Sequence, residues 1–443
     1  MTSPDRAAGQ RVRRLIAPAV LAVGALVLAG CSSSALGGGG GSTAAADAPI
    51  KIGYVTPQTG SLAAFGEADS FVLAQMKQYY ADHPVTLADG SQHPVEILSE
   101  DTQSDSTRAA QVASDLIDQG VSLILVSSTP ETTNPVSDQC ESAGVPCIST
   151  VAPWQAWYFG RGGTPDKGFQ WTYHFFWGLE EAEAVYSDIW KKAAPGATNV
   201  GALLPNDSDG NAWADPATGF PPFIQSLGLN WTNPGAYQDG STDFSAQISA
   251  YKASNAQILM GVPIPPDFTT FWKQAVQQGY HPQIATIAKA ILFPSAVEAL
   301  GTTGNNLGTE VWWSPSHPFS NSLTGQSSKQ LADAYTQATG KQWTQPLGYA
   351  DALFEVATAA LQKSASLQPA DIAKALSTLK VDTIAGPVDF GNGPVPNVSD
   401  MPLVGGQWRL QPDGSYDLVI VSNSIAPEIP TGGVPEPIDW GGQ

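Results

Sequence analysis

The sequence predicts an α/β protein of two lobes, each with a parallel sheet covered by helices. Three observations carry this expectation. A chain of 443 residues exceeds what one compact core organises. Short apolar runs alternate with helical stretches, the pattern of strands buried on both faces. The alternation is interrupted once, by the aromatic run "QWTYHFFWG" at 170–178, and then restarts. Hydrophobic residues make up 42% of the chain and charged ones only 14%, so large cores can form.

Residues 1–30 stand outside this fold. Arg6, Arg11, Arg13 and Arg14 precede an uncharged stretch over 15–28, the pattern of a secretory signal peptide. The apolar run is shorter than the roughly 20 residues a membrane-spanning helix needs. Leu28-Ala29-Gly30-Cys31 resembles a bacterial lipobox, in which small residues admit the signal peptidase and Cys31 receives the lipid. The expected location is therefore extracytoplasmic, anchored to the cell membrane. The following "SSSALGGGGGSTAAADA" is a Gly/Ser/Ala tether over 31–48 that holds a domain off a surface.

From Pro49 the first unit is "IKIGYV", the loop "TPQTGSLAAFGE" and a helical stretch through Tyr80. The strand "VEILSED", a helix over 107–119, the strand "VSLILVSS", a helix over 131–143 and the strand "PCIST" repeat it. Beyond the aromatic run come a helix over 179–194, "VGALL", helices over 216–227 and 244–253, "QILMGV", a helix over 268–278, "QIATIA" and "GTEVWW". Helices over 328–339 and 347–364 follow, then "AGPVDFGNG" and two apolar strands, "MPLVGGQWRL" and "SYDLVIVSN". The Pro/Gly-rich tail from Ala426 reads as an irregular strap.

Without residues 1–30, which hold four arginines and one aspartate, 16 basic and 39 acidic side chains remain, a net charge of −23. That balance argues against nucleic-acid binding. Cys140 and Cys147 in "CESAGVPC" flank a helix end, a turn at Gly144 and an incoming strand. A short-loop disulfide suits an oxidising compartment; two buried thiols are the alternative.

In open parallel sheets, ligands sit beyond the carboxyl ends of strands, where loops and helix N-termini converge. The loops to inspect are 56–66, 127–133, 150–157, 205–211, 263–267 and 288–291. In these loops, in "NPVSDQCESAGVPCIS", in "DFSAQISAYKAS" before "QILMGV" and in "AGPVDF", the chain resembles the type I periplasmic binding proteins of ABC transporters, in the leucine/isoleucine/valine-binding group. The resemblance covers the whole mature chain.

It implies two Rossmann-like lobes joined by three crossings, closing on a small-molecule ligand and presenting the closed form to permease and ATPase subunits. The crossings are expected near 172–176, 311–315 and 403–409. Lobe 1 then comprises 49–172 with 315–404, and lobe 2 comprises 173–314 with 405–443. "QWTYHFFWG" becomes the first crossing, with some rings packing in the lobes and others flooring the cleft.

The resemblance also implies a ligand clamp. Amino-acid binders of the group hold a carboxylate with hydroxyl and backbone donors after the third and fourth strands, and an ammonium with an acidic side chain of the second lobe. This chain has Thr129-Pro130-Glu131 and Val151-Ala152-Pro153-Trp154 at the first two places, and proline lacks the donors. The acidic position falls on Ala288 or Lys289, and a cation there attracts a carboxylate. Phe65 matches an aromatic that covers the ligand. The candidate ligand-binding set is Phe65, Ser128, Thr129, Trp154, Trp157, Tyr173, Asp209, Ile264 and Lys289. The expected ligand is an aromatic or apolar compound with an acidic group. An amino acid or a sugar, with Asp207 or Asp209 accepting hydroxyls, is the lesser reading. Lys289 as a solvated strand-end residue and the tryptophans as lobe caps are the duller ones.

The acidic loop "NDSDGN" lacks the glycine and closing glutamate of a calcium loop, which stand as Ala212 and Thr218. His83, His93, His174, His281 and His317 form no short metal spacing, and there is no G-x-S-x-G elbow and no phosphate-binding loop. The expectation is a binding protein without enzyme activity or cofactor. A ligand-sensing lipoprotein of a signalling system remains the alternative to an importer.

Overall fold

The structure, a computed structural model, describes residues 48–440. The leader, Cys31 and the tether up to residue 47 lie outside the described residues. No helix among the described residues is long and apolar enough to cross a membrane.

Six strands form the first sheet, in the spatial order Val398–Ser399, Thr172–Phe175, Cys147–Thr150, Leu123–Ser127, Ile50–Thr56, Val95–Asp101. All its pairings are parallel. Strand period two assigns the faces. Val55, Ile124, Val126 and Cys147 face a core shared with helices Ser106–Asp118 and Pro130–Ala143. Ile52, Tyr54, Leu123, Leu125 and Ile148 face the other way, toward helices Asp69–Asp82 and Pro346–Lys363. The helix ends follow local chemistry. Asp105 caps Ser106–Asp118 by accepting from the Arg108 amide at 2.7 Å, and Gly144, at φ 73°, ends Pro130–Ala143 in a left-handed turn.

The second sheet runs in the order Tyr416–Ser422, Val404–Leu410, Gly308–Val311, Ile284–Ile287, Ile258–Gly261, Asn199–Leu203, Asn230–Thr232. Its interior pairings are parallel, and Gly308–Val311, Val404–Leu410 and Tyr416–Ser422 finish it as an antiparallel edge. Helix Leu179–Ala193 shares one core with Val200, Ile258 and Met260, while helix Pro265–Gln277 covers Leu203, Leu259 and Ile287 on the other face.

The chain passes between sheets three times. Thr172–Phe175 is hydrogen-bonded wholly within the first sheet, so the first crossing falls after it, at 176–178, and not at 172–176. The second leaves Gly308–Val311 through Trp312 and Trp313, and the third runs from Ser399 to Val404. Sequence reading misplaced the outer two because a strand ending at a crossing and the crossing itself share the same apolar composition.

Other departures are local. The helix expected over 216–227 is the shorter Phe220–Ser226, and an unexpected helix, Ser208–Ala214, precedes it; the two are parted where Asp215 accepts from the amides of Ala217 and Thr218 at 2.8 Å. Cys140 and Cys147, expected as a bridge, are free thiols buried in the same apolar core, and burial pushes the Cys140 thiol up. The tail is a strap on the second lobe. Gln407 Nε2 donates to the Glu436 carbonyl at 2.7 Å, and Trp440 Nε1 donates to the Pro282 carbonyl at 2.9 Å.

Candidate functional site

A small cavity of about 30 Å³ lies where both lobes and two of the crossings meet. The first lobe contributes Phe65 from the turn Ala63–Gly66, Thr129 at the cap of helix Pro130–Ala143, and Val151 and Pro153. The second lobe contributes Asp209, Val262, Ala288, Lys289, Leu292 and Glu310. The crossings supply the floor: Phe176 and Trp177 from the first, Trp312 from the second. Phe65 meets Phe293 of the opposite lobe edge-on at 5.0 Å, and Phe176 meets Trp312 at 5.1 Å. Rings thus wall the site, as expected where an apolar body is gripped.

The polar end centres on Lys289. Its backbone is left-handed at φ 63°, and its amide donates to Glu310 Oε1 at 3.3 Å. The ammonium is only 4% exposed and lies 2.9 Å from Asp207 Oδ2, 2.9 Å from Asp209 Oδ2 and 3.3 Å from Glu131 Oε2. Asp207 is itself fixed as the cap of helix Ser208–Ala214, accepting from the Gly210 amide at 2.6 Å. Glu131 sits in the first turn of helix Pro130–Ala143, so the Lys289–Glu131 pair joins the two lobes.

Burial raises the carboxyls of Asp207 and Asp209, and that of Asp209 reaches about 8 despite the lysine. Burial pulls Glu131 upward most strongly, but the Lys289 charge together with hydrogen bonds to its carboxyl outweighs it and holds this carboxyl below its ordinary value. Burial alone would depress Lys289; the three carboxylates overcome it and hold the ammonium charged. Glu310, also buried, is raised to about 7 and accepts from the Tyr186 hydroxyl at 2.6 Å. The oxygens of Glu131, Asp207 and Asp209 lie within 4.8 Å of one another and so could hold a cation. The lysine ammonium stands among them.

The structure brings together Phe65, Thr129, Asp209 and Lys289 of the expected set. It does not bring the others to the cavity wall. Trp157 is fully buried in the first lobe, stacked on His174 at 4.8 Å and donating to Ser137 Oγ at 3.1 Å. Tyr173 points into the lobe core, its hydroxyl donating to the Ala373 carbonyl at 3.0 Å and its ring against Phe390. Trp154 donates instead to Glu180 of the second lobe at 3.2 Å. Ser128 is fully buried beside the cap, and Ile264 packs in the large core before helix Pro265–Gln277. His174 is a packing ring: burial drives it down to about 3, and Ser149 and the Ala152 carbonyl bind its two nitrogens.

Lys289 also needs correction in role. It was expected to attract an anion, but its charge is met three times over within the chain. Glu131, Glu310, Phe176, Trp177 and Trp312 were absent from the expected set. Period two within 172–175 was the available signal for Phe176 and Trp177, since it ends at the crossing. Nothing local announces Glu131, which acts across the gap between the lobes.

Two helix-covered parallel sheets, three crossings and a cavity lined from both sides define a ligand-binding clamshell. The family model described as periplasmic binding protein matches residues 49–406, and the chain belongs to that family of extracytoplasmic, non-enzymatic ligand-binding proteins of type I. Among solved structures it is similar to a leucine binding protein from Thermotoga maritima, at 20% identity and TM-score 0.66, over 85% of this chain and 99% of that one. A branched-chain amino acid transporter substrate binding protein from Streptococcus pneumoniae, in complex with isoleucine, is 17% identical with TM-score 0.66 over 84% and 99%. A solute binding protein of an ABC transporter from Rhodopseudomonas palustris, in complex with 3,4-dihydroxybenzoic acid, is 16% identical with TM-score 0.65 over 84% and 96%.

Proposed function

We propose that this chain is the extracytoplasmic solute-binding component of an ABC importer, lipid-anchored through Cys31, and that it grips an aromatic or apolar small molecule bearing an acidic or other polar acceptor group. Closure of lobe 1, expected at 49–172 with 315–404 but holding strand Thr172–Phe175 whole, on lobe 2, expected at 173–314 with 405–443 but taking Val404 as well, retains the ligand and presents the closed form to a permease. The cavity lined by both lobes and walled by Phe65, Phe176, Trp177 and Trp312 carries this reading. Relatives of the same fold hold isoleucine and 3,4-dihydroxybenzoic acid, so the clamshell accommodates apolar and flat bodies alike.

A ligand touching both lobes favours the closed arrangement by its differential affinity for it. The polar anchors for its acceptor group come from Thr129 and the crossing indoles, because Lys289 is already paired. A thermal-shift screen of benzoates, amino acids and sugars tests the proposal, since a ligand present at 100 times its Kd stabilises the native state by about 2.7 kcal/mol. A rise with benzoates or apolar acids supports it; a rise with sugars alone, or with none of these classes, refutes it.

A further inference from the structure

We propose that Lys289 is an internal cation that fills the cation position of the cleft from within the chain, so that the site takes ligands without a cationic group, anchors their acceptor atoms on the indoles of Trp177 and Trp312, and rejects amines. This rests on the reading of the cavity as the ligand site.

The first observation is the cage. Glu131 reaches the ammonium from one lobe and Asp207 and Asp209 from the other, at 2.9 to 3.3 Å, and Lys289 is 4% exposed. An arriving ammonium would find its place among these oxygens already taken by the lysine, and would have to sit beside a fixed positive charge. Like charges a few ångströms apart in a poorly solvated place repel strongly. The cage is also held rigidly in place. Glu310 binds the Lys289 amide, and the Gly210 amide binds Asp207.

The second observation is independent of the cage. Trp177 and Trp312 line the cavity and are 2% and 1% exposed, yet neither indole N–H has a hydrogen-bond partner among the described residues. An indole N–H can only donate. Buried donors are normally satisfied, so two of them at one cavity call for an acceptor on whatever enters. A carboxylate, carbonyl or ether oxygen meets that need, whereas an ammonium, having no acceptor, does not. The Asp209 Oδ1 atom, also buried without a partner, is available to a ligand hydroxyl.

The test uses the mature protein and three probes. Wild type is titrated with benzoate and with benzylamine, which share a ring and differ in the polar group. Lys289→Ala is then melted with and without n-propylammonium, the fragment that the substitution removes. The expected results are stabilisation of wild type by benzoate and not by benzylamine, and a saturable rise of about 2 °C or more for Lys289→Ala with propylammonium that wild type does not show. Benzylamine stabilising wild type as well as benzoate does would overturn the proposal, and so would a folded Lys289→Ala that ignores propylammonium. If Lys289→Ala does not fold, the benzoate and benzylamine pair on wild type decides. Rescue by propylammonium while wild type binds nothing in the ligand screen upholds the internal cation and overturns the small-molecule reading instead.

Discussion

A non-glycine residue in the left-handed region costs on the order of 1 kcal/mol, and at Lys289 the compensation is a bond from its amide to Glu310 together with three ion pairs. Removing the charge alone should therefore be severe. Lys289→Met leaves three buried or half-buried carboxylates without a counter-ion, and breaking such a cluster costs about 3–5 kcal/mol. The loss should depend on pH. Without the lysine all three acids take folded-state values above the unfolded carboxylate value of about 4, as Asp209 does already at about 8. An acid so raised contributes its stability below the unfolded value and loses it as pH climbs toward the folded one. Melting at pH 5 and pH 8 should show the variant's deficit growing with pH; an equal deficit at both would refute the cluster's role. The lysine itself was legible as a charged strand end near the ligand. Its partners were not, since Glu131 and Asp207 lie 158 and 82 residues away in the chain.

Among the elements, the aromatic segment shows what periodicity can and cannot give. Its density marks a crossing region, and strand alternation sends Tyr173 and Phe175 to one face and His174 to the other. Composition cannot say where alternation stops, and that point decides which rings reach the cavity. The succession of strands along the chain was legible because each βα unit carries its own apolar run, whereas their order within the sheets was not. Hairpins such as Val85–Thr86 with Gln92–His93 were not, being too short to show a period. Helix Pro346–Lys363 illustrates packing that no pattern reveals. It is buried almost all round, and a methyl group at Gly348 would overlap the Trp313 ring. Gly348→Ala should destabilise by about 1–3 kcal/mol, although alanine is the better helix former. Denaturant unfolding checks this, and a neutral or stabilising result would show that Trp313 can move away freely.

For the molecule as a whole, the two lobes are joined by contacts that belong to neither alone. Glu131 binds Lys289, Trp154 and Gln155 bind Glu180, and Phe65 meets Phe293. Glu131→Gln weakens the one ion pair among them while keeping its size. The expected outcome is a shift toward open molecules, seen as a larger radius of gyration in X-ray scattering and weaker ligand binding. An unchanged scattering curve with unchanged affinity would mean the pair does not bear on closure. The two-lobe plan was legible from the restart of the strand and helix rhythm, because that rhythm is a local property. The seals were not, because they exist only once the halves meet.

The first sheet is completed late. Its strands appear before residue 176 save for Val398–Ser399, but one of its faces is covered in part by helix Pro346–Lys363, which arrives only after the entire second sheet except Val404–Leu410 and Tyr416–Ser422. During synthesis or export, the leading half therefore emerges with the face of Ile52, Tyr54, Leu123 and Leu125 covered only by helix Asp69–Asp82 for some two hundred residues of chain growth. A nascent chain of this design needs a holding factor or rapid delivery, and a product cut short before residue 346 would be prone to clump instead of surviving as half a protein.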